Sequence, residues 1–281
     1  MNNRNADFLI SRIIRIFLIL CTIFFLYPFF WNIFTSFKTN TAIMLDPTAL
    51  PKEALALDNY ARAFTRANMG SYIFNSVFVV VLSLAFLLVF VVPTSYVLAR
   101  YRFFASRFIE NLFMICIFIQ AQYIMVPLFV QLHTLGMTDN LLAMSLVYAV
   151  LQFPFSIFLL SSYMRSISRS FEESARIDGC NNWRILTSII VPLAKAGLAT
   201  ISIIAVMAFW NEYPLALVLI HTVERRTIPI GLAHLFQVQR RATDFGALFA
   251  ALVIVLIPTV IVYLIGQRHL LKGIAAGGIK E

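Results

Sequence analysis

Six long apolar runs dominate the chain: about Ile13–Phe37, Tyr72–Leu98, Phe108–Val130, Leu141–Tyr163, Leu193–Phe209 and Phe245–Gly266. Most reach the roughly 20 residues that an α-helix needs to cross a bilayer. Backbone N–H and C=O groups in hydrocarbon must find partners inside the chain, so runs of this length are read as helices. The composition agrees: 60% of the 281 residues are hydrophobic and only 12% are charged, against about 45–50% and 25% in a soluble domain. The expected fold class is all-α, a polytopic membrane protein with six transmembrane helices. The first run is too long for a signal-peptide core and continues through Tyr27-Pro28-Phe29-Phe30-Trp31 without a small-residue cleavage site, so it reads as an uncleaved span. Pro93 is expected to kink the second.

Charge sets the orientation. Six spans put both termini on one side. With that side cytoplasmic, the inner segments carry Arg4, Arg12 and Arg15; Arg100, Arg102 and Arg107; Arg165, Arg169, Arg176 and Arg184; and Arg268, Lys272 and Lys280. The outer segments carry Lys38, Lys52, Arg62, Arg66, Arg225, Arg226, Arg240 and Arg241. The bias follows the positive-inside rule. It divides the chain into a cytoplasmic segment 1–12, a membrane domain 13–266 and a cytoplasmic tail 267–281, with Lys38–Gly70 and the polar segment His221–Thr243 outside. The net charge of +9 then belongs to loops, and no basic cluster interleaved with aromatics points to nucleic acid.

Little suggests catalysis. Cys21, Cys116 and Cys180 and the four histidines show no metal-ligand spacing, and there is no Walker-type phosphate loop or nucleophile–base pattern. No metal site, no catalytic residue and no cofactor is expected.

One polar island stands out, Ser170–Pro192. Ser170 and Glu173 have the spacing of a capping box. Glu172 and Glu173 fall in the first turn, where carboxylates suit the helix dipole. Gly179 suits the positive φ that ends a helix. A short helix of about two turns is expected. Asn181 or Asn182 would cap a second helix near Trp183, and Pro192 would redirect the chain into the membrane. Phe171, Ser174, Ala175 and Asp178 fall at helical spacing, and the small residues among them permit close approach to a partner. An ordinary amphipathic loop has the same features.

The spelling of this island resembles the EAA loop of ABC-importer permeases: Glu173-Ser174-Ala175, then Gly179, then Val191-Pro192-Leu193. Ser174 stands where that family usually has Ala. The resemblance extends over nearly the whole chain to the maltose-type sugar permeases, through Tyr27-Pro28-Phe29, Ser36-Phe37-Lys38, Asn59-Tyr60, Asn75-Ser76, Tyr96-Val97-Leu98-Ala99-Arg100-Tyr101, Ile124–Leu128, Leu135-Gly136-Met137, Trp210-Asn211-Glu212, Thr227–Gly231 and the tail Gln267–Lys280. The short N-terminal region is similar to that of the smaller of the family's two permeases. The resemblance implies a permease of the bacterial or archaeal cytoplasmic membrane that imports a carbohydrate. It implies as partners a second homologous permease, two ATPase subunits that hold ATP and Mg, and an extracellular or periplasmic solute-binding protein. Ser170, Phe171, Glu172, Glu173, Ser174, Ala175, Asp178 and Gly179 would form the helix that couples to an ATPase.

Polar residues inside apolar runs are candidates for a substrate pathway, because such residues are costly in lipid. Here they are Gln120, Gln122, Tyr123, Gln152, Trp210, Asn211 and Glu212. Amides bind sugar hydroxyls and an aromatic face packs on a pyranose ring. Hydrogen bonds between helices would explain the glutamines equally well, and an interfacial position would explain Glu212. A permease for amino acids or another solute, a secondary transporter or channel, and a membrane enzyme are the rival classes. The sugar-type tail, the EAA-like loop and the lack of a catalytic constellation argue against each in turn.

Overall fold

The computed structural model describes residues 2–51, 55–66, 68–242 and 244–278, without the side chains of 2–7, 9, 66, 237–242 and 268–278. Among these residues regular structure is entirely helical. The elements are α1 (Asn2–Ser36), α2 (Asn40–Leu45), α3 (Asp58–Arg66), α4 (Met69–Arg100), α5 (Ser106–Cys116), α6 (Ala121–Thr134), α7 (Leu141–Ser166), α8 (Ser170–Ile177), α9 (Asn182–Ile185), α10 (Val191–Leu193), α11 (Lys195–Trp210), α12 (Pro214–Leu219), α13 (Ile228–Ala242) and α14 (Phe245–Gly278). A π-helical turn, Leu186–Ile190, joins α9 to α10.

Four helices are long and apolar enough to span a membrane alone: α1 (over Ile10–Ser36), α4, α7 and α14 (over Phe245–Gln267). The expected third span is not straight, whereas the expected fifth, Leu193–Phe209, coincides with α11, at whose start Pro192 redirects the chain as expected. α5 and α6 meet at 100°, and Asn182–Leu193 meets α11 at 77°. The first break comes where Gln120 adopts an extended backbone (ψ 143°). Gln120 and Gln122 mark the place as polar, but the length and hydropathy of the run gave no sign of a bend. At the second, Pro192 lacks the N–H of an α-helical bond, the turn before it is π-helical, and the bend falls at Ala194. α4 runs through Pro93 as one helix. The segment expected as an outer polar loop, His221–Thr243, contains the 15-residue helix α13. Lys52 and the side chains of Arg4, Arg66, Arg240, Arg241, Arg268 and Lys272 lie outside the described residues, as does Lys280.

Contacts divide the chain into two compact units. The first comprises the chain up to Met69 with Leu232–Leu256, and the second comprises Gly70–Gly231 with the chain from Ile257 on. In the first unit, polar side chains tie three segments together. Asn59 donates to the carbonyls of Ser36 (2.7 Å) and Lys38 (2.9 Å), so α3 folds back on the end of α1. Arg62 pairs with Asp244 at 2.9 Å and donates to Asn59 at 2.6 Å. Asp244 also accepts from Ala247 N–H as α14 begins. Lys38, read from sequence only as an outer charge, is buried, and its ammonium donates to the carbonyls of Asp46 and Ala49.

In the second unit, α5 and α11 pack on α7 and α12 packs on α6. Gly197 of α11 lies so close to Tyr163 of α7 that a Cβ would stand 2.7 Å from the ring. This is the close helix approach that small residues allow. Asn75 donates to the carbonyls of Glu224 and Arg226, and Ser76 Oγ accepts from Ile228 N–H at 2.9 Å. Asp139 closes the loop between α6 and α7 onto the segment after α12. Its carboxylate accepts from the N–H groups of His221 and Thr222 (both 3.0 Å) and from the Thr222 hydroxyl (2.5 Å), and Arg225 pairs with it at 3.2 Å.

Burial by itself pushes the Asp139 carboxyl up, but the hydrogen bonds from Thr222 and His221 and the charge of Arg225 outweigh it and hold the group below its ordinary value. A depressed carboxylate stabilises the fold above its unfolded pKa of about 3.9 and loses that contribution as pH falls through the lower folded value. Asp139→Ala is expected to lower the melting temperature of the detergent-solubilised protein at neutral pH by roughly 2–8 °C. The gap to wild type should close as pH falls below about 4. A gap that persists unchanged at lower pH would show that the carboxylate charge does not hold these loops.

Candidate functional site

The polar island folds into the expected short helix, α8, with one correction. Ser170 is not the N-cap, and no capping box with Glu173 forms. The chain enters the helix one residue earlier: Arg169 is the cap, with no side-chain bond, and its carbonyl accepts from the N–H groups of Glu172 and Glu173. Ser168 engages Ser170 instead, accepting from its N–H at 3.3 Å and lying 2.8 Å from its hydroxyl. Glu173 is exposed. The C-terminal expectation holds. Gly179 has φ +77°, Gly179 N–H donates to Arg176 O and Cys180 N–H to Ala175 O, which together make a Schellman ending. Asn181 Oδ1 then accepts from Arg184 N–H at 2.8 Å and caps α9.

α8 has two distinct faces. Glu172 and Ala175, three residues apart, are buried, whereas Ser170, Phe171, Glu173, Ser174, Asp178 and Gly179 are exposed. Ile177, which sequence did not single out, is 87% exposed. Glu172 meets the end of α4. Its carboxylate lies 2.5 Å from Arg100 Nε, with the two side chains only 6% and 4% exposed. Tyr96, one helical turn before Arg100, donates to the other carboxylate oxygen at 3.1 Å, and a second guanidinium nitrogen of Arg100 donates to Ile167 O at 2.9 Å. Arg100 and Tyr96 are far from Glu172 in sequence. Only the Tyr-x-x-x-Arg spacing, which puts both on one face of a helix, could have paired them beforehand.

The candidate pathway residues separate into groups. A cavity of about 170 Å³ is lined by Ile119 and Ala121 at the first helix break, Tyr148, Leu151 and Gln152 of α7, and Ala208, Phe209, Glu212 and Leu215 at the turn between α11 and α12. It thus gathers Gln152 and Glu212 and adds Tyr148, which the sequence reading missed. Tyr148 lies four residues before Gln152 and so shares its helix face. The Tyr148 hydroxyl and the indole N–H of the buried Trp210 have no hydrogen-bond partner among the described residues. Gln120 sits at the break itself, and Gln120, Gln122 and Tyr123 are exposed and do not line this cavity. Asn211 is exposed and donates to Met207 O of its own helix, and Glu212 accepts from Leu215 N–H at 2.9 Å and so caps α12.

Comparison with known proteins agrees with this architecture. Residues 71–275 match the family described as binding-protein-dependent transport system inner membrane component. The chain is 32% identical to the diacetylchitobiose uptake system permease protein NgcG of Streptomyces coelicolor, over 97% of this chain and 90% of that one. It is 31% identical to the probable starch degradation products transport system permease protein AmyC of Thermoanaerobacterium thermosulfurigenes, over 94% of both. Among solved structures, it superposes with a TM-score of 0.83 and 26% identity on a chain of a bacterial ABC transporter involved in the import of the acidic polysaccharide alginate, covering 94% of this chain and 97% of that one. A chain of broken and unbroken spans with an EAA-like helix between them, matched in this way, belongs to the family of binding-protein-dependent ABC transporter permeases: it is a multi-pass, non-catalytic transport subunit of the bacterial inner membrane.

Proposed function

We propose that this chain is one of two homologous permease subunits of a carbohydrate importer, that α8 docks on one of two ATPase subunits, and that the cavity between the α5–α6 break and the α11–α12 turn belongs to the sugar pathway. The observation that carries the reading is the division of α8 into a buried face latched to α4 and an exposed face. The exposed Phe171, Ser174, Ile177 and Asp178 lie three to four residues apart, so they present one surface to a partner. Glu173 and Ser170 flank it, and Gly179 ends it. ATP and Mg are handled by the ATPases. A solute-binding protein delivers the sugar on the outer side, where residues 38–70 lie, with the permease domain at 13–266 and both termini inside.

The carbohydrate class rests on relatives whose names specify diacetylchitobiose and starch degradation products, and on the alginate importer. Chemistry at the cavity suits it. A broken helix is tolerated at membrane depth where it lines protein or a water-filled space, and discontinuous helices recur at transporter binding sites. Tyr148, Gln152 and Glu212 offer hydroxyl, amide and carboxylate groups to sugar hydroxyls, and the Phe209 ring, stacked on Tyr148 at 6.0 Å, supplies an apolar wall. Asn211, Trp210, Gln120, Gln122 and Tyr123 stand beside the breaks rather than in the cavity, and could serve the path only on either side of it.

Two experiments test the reading. Coupling is tested in the reconstituted importer. Glu172→Ala leaves Arg100 buried without its counter-charge, a loss of the order of 3–5 kcal/mol. It is expected to lower permease stability and to abolish binding-protein-stimulated ATP hydrolysis. Glu173→Ala, at an exposed position, should leave stability within about 0.5 kcal/mol of wild type while weakening co-purification of the ATPase. If Glu173→Ala and Phe171→Ala both retain full ATPase binding and stimulation, α8 is only a connecting helix.

The pathway is tested by transport. Tyr148→Phe and Gln152→Leu each remove hydrogen-bonding capacity without removing bulk. Each is expected to raise the half-saturating sugar concentration about 5–10-fold in assembled complexes with normal ATPase binding. Unchanged uptake of every sugar that the system imports would make the cavity a packing feature.

A further inference from the structure

Beside the latch lies a second, larger cavity that the transport reading does not use. It has a volume of about 560 Å³ and is lined by the end of α4 and the loop after it (Leu98–Phe104), by the start of α5 (Ser106, Arg107 and Glu110), and by Arg165 and Arg169. Five arginines and a single carboxylate face it. Two of the five are already neutralised: Arg100 by Glu172 and Arg165 by Glu110, at 2.5 Å each. Arg102, Arg107 and Arg169 are exposed, and among the described residues none has an acidic partner. Three uncompensated guanidinium groups around one concavity suit a phosphate, which guanidinium binds through paired N–H donors.

The surroundings are apolar. Phe103 and Phe104 project from the loop, with Phe104 fully exposed, and a smaller groove that shares Leu98, Glu110 and Arg165 with the recess is lined by Phe113 and Met114 of α5 and by Ile157 and Phe158 of α7. A cationic recess that shares part of its lining with an apolar groove matches the two halves of a phospholipid. Basic pockets between spans on the cytoplasmic side are known to take anionic headgroups. The geometry points to a binding site for an anionic phospholipid, with its phosphate between Arg102, Arg107 and Arg169 and its acyl chain along Phe113, Met114 and Phe158. Glu172, α8 and this recess share the end of α4 through Arg100, so the bound headgroup lies next to the coupling latch. The inference rests on the cytoplasmic placement of α8 proposed above.

The test uses the assembled importer in nanodiscs of equal phosphatidylcholine and phosphatidylglycerol, with lipids retained on transfer to the gas phase counted by native mass spectrometry. Wild type should retain phosphatidylglycerol over phosphatidylcholine. Each of Arg102→Gln, Arg107→Gln and Arg169→Gln should cut that retention about fivefold, and the triple variant more than tenfold. Arg184→Gln, an exposed arginine outside the recess, should leave it unchanged. Met114→Ser with Phe158→Ser should also reduce it. Equal retention of the two lipids, or retention indifferent to the triple variant, overturns the site. Displacement of phosphatidylglycerol by inorganic phosphate overturns the lipid in favour of a soluble anion, and retention insensitive to the groove variants overturns the acyl path. Both leaflets hold the same lipids, so retention does not depend on sidedness. That is read separately by labelling Phe104→Cys, in a chain with Cys21, Cys116 and Cys180 replaced, with an impermeant maleimide from each side.

Discussion

A chain in lipid cannot leave a charge or a backbone group without a partner, and this structure is organised by where those partners are found. The most demanding case is the Arg100–Glu172 pair, with both side chains almost wholly buried. An ion pair in such surroundings gains from its short contact but is costly to desolvate, so it adds little net stability, while removing one member is severe. It acts as a constraint of position. α8 cannot shift relative to the end of α4 without exposing or breaking it. The Tyr96 hydroxyl and Ile167 carbonyl complete the set of partners.

That constraint gives the two glutamates of the polar island different work. Glu172 faces its own chain, and Glu173, one residue on, faces outward. Adjacent helix positions point about 100° apart, so a pair of like charges need not serve one purpose. The Schellman ending at Gly179 then turns the chain sharply enough for Asn181 to start α9 within four residues of the end of α8. The bent segment from Asn182 to Leu193 carries the chain on to α11 through a π turn and a proline. Helix, turn and bend thus follow one another along the chain from α8 to the helix that ends at Trp210.

The sites where the spans break follow the same rule. The α5–α6 break and the α11–α12 turn both border the cavity that holds Tyr148, Gln152 and Glu212. At the α11–α12 turn the Glu212 carboxylate accepts from Leu215 N–H, so a polar side chain partners the freed backbone. Elsewhere the polar residues act as joints. Asn59, Arg62 and Asp244 tie one unit, and Asn75, Ser76 and Asp139 tie the other. Several of the short motifs through which the chain resembles sugar permeases, such as Asn59-Tyr60, Asn75-Ser76 and Tyr96 to Arg100, coincide with these joints. Their spelling is explained by the partners they must reach.

The sequence by itself determined the helical class, the apolar segments, the polar island and its C-terminal turn at Gly179, because each depends on local composition or on a backbone angle that few residues adopt. It also carried the family through the EAA-like spelling. It could not place the break at Ile117–Gln120, since hydropathy measures whether a segment suits lipid and not whether it is straight, whereas Pro192 marked the bend at Ala194. It misread Ser170 as a cap because Ser168 two residues earlier offered the same chemistry. Lys38 looked like a solvated charge, but its ammonium reaches two carbonyls eight and eleven residues away. The latch of Glu172 on Arg100, and the meeting of Tyr148 with Glu212 in one cavity, were decided only by tertiary structure. They join residues 72 and 64 positions apart, and nothing local to either partner records where the other will lie.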